Sequence, residues 1–169
     1  MSLTTRRTTH RLTIDAPADL IFIMLRDSSH WPYLDGLTVY SERVSGDDAN
    51  HELRTSVVAN GSLNSSHCRR VFDAAGHRAE FRQLGLEHPL LSLGGSWAIL
   101  RADGRSEVTL NHEFEVGEES GELPDQIHRA IDEYSRRELE ALRLSCERLS
   151  LLLQQHSSSS PAGTTAREA

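Results

Sequence analysis

The sequence predicts an α+β fold: a curved antiparallel β-sheet of about seven strands wrapped around a long C-terminal helix, with two short helices after the first strand. Three observations lead there. Six strand-like runs follow one another between residues 37 and 117, joined by short turn-rich segments, which is the pattern of an antiparallel meander. One helical pattern runs from Pro124 to about Gln155. No other segment is long enough to cover the apolar face of such a sheet.

Taken in order, residues 8–14 (THRLTID) alternate and form the first strand. In DAPADLIFIMLRD, Asp15 lies in the capping zone and Pro17 suits a first helical turn, while Leu20, Ile21, Met24 and Leu25 fall on one face. Pro32 and Gly36 break the chain before Leu37. Strands are then expected over 37–44, 51–59, 62–73, 77–85, 93–102 and 106–117. Asn60-Gly61, between two alternating runs, is the strongest hairpin signal of the set. In the last element Ile127, Ile131, Tyr134, Leu142, Leu149 and Leu152 form a stripe at helical spacing. About 30 helical residues reach roughly 45 Å, enough to span the sheet. Residues 1–155 read as one domain and the Ser-, Gly- and Ala-rich residues 156–169 as a disordered tail. This is a helix-grip architecture, and a sheet bent around one helix leaves a pocket at the end that the helix does not fill.

Composition removes many functions. With 169 residues, a net charge of −7 and no long basic run, the chain lacks the footprint of nucleic-acid binding. Its longest apolar run, Leu20 to Leu25, is too short for a membrane, and the first residues lack the apolar centre of a signal peptide, so a cytoplasmic protein is expected. All 18 Lys+Arg residues are arginine, which excludes lysine Schiff-base chemistry and a P-loop. Two cysteines, Cys68 and Cys146, make neither a disulfide framework nor a zinc site. No dinucleotide, nucleophile-elbow or zinc-protease motif occurs; no metal and no cofactor are expected.

Polar residues at inward positions locate a candidate site. In SSHCRRVF (65–72) successive side chains point to opposite faces, so one of Arg69 and Arg70 faces inward in either phase. With Phe72 inward, Arg70, Cys68, Ser66 and Asn64 share the inner face; the opposite phase places His67 and Arg69 inside. In SEVTLNHEFEV the apolar face carries Val108, Leu110, Phe114 and Val116, and His112 stands among them, either as a satisfied interior histidine or as an acid/base. The helical stripe meets Glu138 after Tyr134, either at its edge beside Arg136 and Arg137 or within the pocket. Trp31 and Tyr33 follow the first helices where a lid would sit, and Phe81 and Trp97 on later strands serve as core or as cavity lining.

The order of several segments resembles the aromatase/cyclases of bacterial type II polyketide synthesis, within the START/Bet v 1-like (SRPBCC) superfamily. The likeness covers most of residues 8–152 and is carried by APADLIF, HWPYL, Asn60-Gly61 with Cys68-Arg69-Arg70-Val71, RQLGLEHPLLSLGGSW and TLNHEF. The resemblance implies an interior cavity that receives a poly-β-ketone on acyl carrier protein and directs first-ring aldol closure and dehydration. The partners it implies are that carrier and the ketosynthase/chain-length factor, with the protein a monomer or a homodimer. It implies Arg70, His112 and Glu138 as catalytic residues, with Trp31, Tyr33, Ser66, Cys68, Phe81, Trp97 and Tyr134 lining the substrate. Cys68 replaces a frequent serine and Ser66 a frequent tryptophan, substitutions that bear on pocket width. The same cavity would also suit a non-enzymatic carrier of a hydrophobic ligand, or a structural role beside the synthase.

Overall fold

The structure, a computed structural model, describes residues 3–59, 61–117 and 121–159. β1 (Leu3–Ile14) leads into α1 (Ala18–Arg26), a 3-10 turn (Ser28–His30) and α2 (Trp31–Leu34). Then come β2 (Thr38–Gly46), β3 (Asn50–Ala59), β4 (Ser62–Asp73), β5 (Arg78–Gln83), β6 (Leu90–Ala102), β7 (Arg105–Gly117) and α3 (Leu123–Ser158). The strands form one seven-stranded antiparallel sheet in the order β1-β7-β6-β5-β4-β3-β2. The expected helix-grip architecture is what is found.

Element ends differ from expectation where pairing overrides pattern. β1 begins at Leu3, five residues early, because it is zipped to β7 from Leu3↔Gly117 to Ile14↔Ser106. β5 stops at Gln83, and Gly85 beyond it has φ +65°, a left-handed conformation that suits glycine. α1 is entered through Pro17, with no side-chain cap from Asp15 or any other residue. α3 runs to Ser158, so 156–158 are helical rather than tail; Ser157 and Ser158 donate to the carbonyls of Leu153 and Gln154 one turn back. The remainder of the expected tail from residue 160, and Asn60 of the hairpin turn, lie outside the described residues.

The core lies between the concave sheet face and the middle of α3. Ile14, Ile21, Val108, Leu110 and Phe114 are fully buried, and Leu139, Ala141, Leu142 and Cys146 supply the helix side. Alternation along β7 is complete, with residues 108, 110, 112, 114 and 116 all buried. α1 packs its Ile21, Phe22, Met24 and Leu25 against this core. Past Leu149 the helix overshoots the sheet, leaving Leu151, Leu152 and Leu153 about half exposed.

β6 carries two adjacent glycines, Gly94-Gly95, packed closely against β5 and β7. A Cβ on Gly95 would lie 1.9 Å from the Asn111 carbonyl oxygen and 2.7 Å from the Phe81 ring. The missing side chain is thus what lets β5, β6 and β7 close up beside His112, the register partner of Gly95. Gly95→Ala is expected to cost about 2 kcal/mol through forced backbone displacement. A urea midpoint unchanged from the parent protein would contradict this reading of the close approach.

Candidate active site

The β3–β4 hairpin places Arg70 on the concave face, opposite His51 in register. Its side chain is 6% exposed and reaches the C-terminal end of α1. Nη1 donates to the Leu25 carbonyl at 2.8 Å and Nη2 to the Arg26 carbonyl at 2.8 Å. A cation at the negative end of a helix is favourably placed. Nε and Nη2 both point at His51 Nε2, at 3.0 and 2.8 Å. The guanidinium lies over the rings of Phe72 and Trp31, at 4.8 and 5.2 Å from their centroids, in attractive cation–π geometry. Trp31 is held by its own Nε1 donating to the Met24 carbonyl at 2.7 Å. Burial pulls the pKa of Arg70 down to about 10, so it remains a cation at neutral pH. Among the described residues no carboxylate forms an ion pair with it.

His112 is fixed from behind. Ser135 on α3 donates its hydroxyl to the Ile131 carbonyl at 2.7 Å, and His112 Nδ1 lies 3.1 Å from the same oxygen. With the one serine proton committed to the Ile131 carbonyl, the tautomer that fits carries its hydrogen on Nδ1. Nε2 is left with its lone pair on a ring that lines the cavity. Burial, reinforced by nearby His10, pushes the His112 pKa down to about 4. Phe81 meets the ring edge-on at 5.2 Å, and the neutral imidazole is therefore the resting form.

Glu138 faces the same cavity from α3. Burial raises its pKa to about 7; Arg70 opposes that shift and Asp35 adds to it. Glu138 is half-buried and lines the cavity, the inward of its two readings. Tyr134, one helical turn earlier, also lines the cavity, and burial with Glu138 and Asp35 nearby keeps its phenol protonated. Cys68 lies next to Arg70 on the inner face of β4, and burial pushes its thiol up to about 11.

These groups share a cavity of about 690 Å³ between the sheet and the first half of α3. Trp31, Ser66, Cys68, Phe81, Trp97 and Tyr134 line it together with Arg70, His112 and Glu138. Tyr33 does not: it is 86% exposed. The expected loop is a single turn of helix, and residues two apart on a helix diverge by about 200°, so anchoring Trp31 inward turns Tyr33 out. Sequence reasoning missed Asp35, His51 and Ser135. Asp35 accepts from the Leu37 and Thr38 amides, both at 2.8 Å, and from the Thr38 hydroxyl at 2.6 Å, shaping the turn below α2. Among the described residues no cluster of side chains could hold a metal ion, and no helix is long and apolar enough to cross a membrane.

Fold and site together define a helix-grip domain with a largely apolar interior cavity that holds an isolated cation, a neutral imidazole and an unusually basic carboxyl. The chain belongs to the polyketide cyclase/dehydrase and lipid transport family, which it matches over residues 5–147. It is 30% identical over 147 residues to the granaticin polyketide synthase bifunctional cyclase/dehydratase of Streptomyces violaceoruber, covering 86% of this chain and 45% of that protein. It is 32% identical over 143 residues to the actinorhodin polyketide synthase bifunctional cyclase/dehydratase of Streptomyces coelicolor, covering 84% of this chain and 44% of that protein. The chain thus spans less than half the length of these relatives. Among solved structures, the Zhui aromatase/cyclase from Streptomyces sp. R1128 superposes with a TM-score of 0.74 at 25% identity, over 86% of this chain and 95% of that one. The di-domain aromatase/cyclase BexL of the BE-7585A pathway also gives 0.74, at 30% identity over 84% of this chain and 46% of that one.

The Glu138 shift carries a stability cost with a definite sign. Its folded pKa lies above the ordinary value of 4.5, so the folded state is favoured while the group is protonated and loses stability as pH rises through about 7. Glu138→Gln is therefore expected to raise the unfolding free energy by about 2–3 kcal/mol at pH 8 while changing it little near pH 4. Urea melts at the two pH values test this; an equal gain at both would rule out a buried, titrating carboxyl.

Proposed function

We propose that the chain is a polyketide aromatase/cyclase. On this reading it takes up a poly-β-ketone tethered as a thioester to acyl carrier protein, and directs first-ring aldol closure and dehydration without a cofactor. The observation that carries the reading is that His112, the Glu138 carboxyl and the Arg70 cation all line one cavity. The cyclase/dehydratase names of the relatives support it.

The residue chemistry suits each step. His112 Nε2 takes a proton from a carbon between two carbonyls. The resulting enolate carbon attacks a carbonyl further along the chain, forming the new C–C bond. Arg70 has five N–H groups, four of them engaged with His51, Leu25 and Arg26; the remaining Nη1–H and the unneutralised charge stabilise the alkoxide as it forms. The imidazolium, a strong acid with a pKa of about 4, returns its proton to that oxygen. For dehydration His112 removes a second proton from the adjacent carbon, and protonated Glu138 gives its proton to the departing hydroxyl, which leaves as water. Proton return from the imidazolium to Glu138 resets the pair, and enolisation of the remaining ketones completes the aromatic ring. One water is lost and no electron donor or acceptor takes part. Trp31, Phe81 and Trp97 are walls against which the flexible chain is folded, a contribution of orientation rather than of proton transfer.

A non-enzymatic carrier would use the cavity and Arg70 but would have no use for a carboxyl held near neutrality at the expense of stability. Co-expression with a minimal polyketide synthase separates the two. His112→Gln and Glu138→Gln are each expected to lower the aromatised product about 10²-fold in favour of spontaneously cyclised shunts; an altered total yield with an unchanged product pattern would favour the carrier. With purified protein and an acyl thioester analogue, dehydration should fall below pH about 4 as His112 gains a proton and above pH about 7 as Glu138 loses one. A profile without the alkaline limb would remove Glu138 from the acid role.

A further inference from the structure

We propose that His51 is the positioning residue for the cavity's cation: it holds the Arg70 fork by a neutral acceptor, so that the guanidinium is oriented without being neutralised. The inference deepens the aromatase/cyclase reading and rests on it for its catalytic consequence, though its geometric part stands alone. His51 is 2% exposed and lies across the hairpin from Arg70. Its Nδ1 donates to the Asp47 carbonyl at 2.9 Å, so Nε2 carries no hydrogen. That single lone pair receives both Nε and Nη2 of Arg70. The Nε/Nη2 edge of an arginine is the one that carboxylates ordinarily grip in bidentate pairs. A carboxylate there would fix the same orientation but cancel the charge that reaches into the cavity.

The surroundings of His51 keep it in the accepting form. Phe72 stacks on the ring at 5.4 Å with 19° between planes. Burial, then the charge of Arg70, hold its pKa below the ordinary histidine value. Arg43 of β2 acts in the same direction, whereas Asp48 and the Asp47 carbonyl of the β2–β3 turn oppose it. Asp48 is itself engaged by Arg43 at 2.9 Å and faces Arg26 of α1 at 4.0 Å. Glu138 completes the charged neighbourhood from α3, its own pKa held down in part by the Arg70 charge. The charge left on Arg70 is therefore felt by the acid on the opposite wall, which makes Glu138 a reporter of what His51 does.

Three variants of the 169-residue chain test this: His51→Gln keeps a neutral acceptor, His51→Glu supplies a charged one, and His51→Phe keeps the ring stack with no acceptor. The readouts are the Arg70 Nε–H resonance in ¹⁵N NMR, the Glu138 titration in ¹³C NMR, and the product pattern in the co-expression assay. In the Gln variant the Arg70 resonance and the Glu138 midpoint should match the parent protein. In the Glu variant the resonance should persist, the Glu138 midpoint should rise by about 1 pH unit as the cation is neutralised, and aromatised product should fall about tenfold or more. In the Phe variant the resonance should be lost to exchange with solvent. A purely structural His51 would lower stability in the variants without moving the Glu138 midpoint, and that result would overturn the proposal. So would an Arg70 resonance retained in His51→Phe. If the Phe variant fails to fold, the contrast between Gln and Glu decides. Absence of product from the parent protein would defeat the aromatase/cyclase reading, while the NMR measurements would still decide the role of His51.

Discussion

The hydrogen bonds from Arg70 to the carbonyls of Leu25 and Arg26 join the end of α1 to the sheet, and the cavity depends on them. They tie the last turn of α1 to β4, and Trp31, which follows in α2, lies over the guanidinium. A lysine could not do the same work: a single ammonium lacks the flat fork that meets two carbonyls and an imidazole at once while stacking between aromatic rings. The residue that anchors the architecture is also the one whose charge the cavity receives.

His112 and Glu138, both in the cavity lining, are perturbed in opposite directions by one cause. Burial disfavours charge, so it lowers the imidazole and raises the carboxyl. The result is an imidazole that is neutral near pH 7 and a carboxyl that is partly protonated there, both on the walls of one cavity. The backing groups differ in kind. His112 is oriented by a serine on α3 that is itself tied to the helix backbone, whereas Glu138 is tuned through space by Arg70 and Asp35. The helix therefore does more than fill the sheet: its middle makes the core, and the preceding turns supply and orient the polar groups.

Much of this was legible in the sequence because strand alternation and the helical stripe are strong, independent periodicities. They singled out Arg70, His112 and Glu138 as inward candidates one element at a time, while leaving the phase of Arg70 and the depth of Glu138 open. What they could not reveal were relations between elements. His51 reads as one polar residue in a strand, yet β3 and β4 pair at positions whose numbers sum to 121, and 51 with 70 is such a pair. Ser135 gave no signal, since a small residue on an apolar helix face looks like space-filling until its hydroxyl is seen against His112. Tyr33 went wrong because local propensity cannot tell a loop from one turn of helix. The early start of β1 was hidden because residues 3–7 are held by ladder pairing to β7 rather than by an alternating apolar face.

The elevated thiol of Cys68 has a consequence of its own. It lines the same cavity as Arg70, and thioesters and thiols exchange acyl groups through the thiolate. With its thiol kept protonated by burial, and with no lysine amine anywhere in the chain, the cavity wall presents neither a thiolate nor an amine. On the proposed reading, a densely electrophilic guest could be held there without becoming attached to its host.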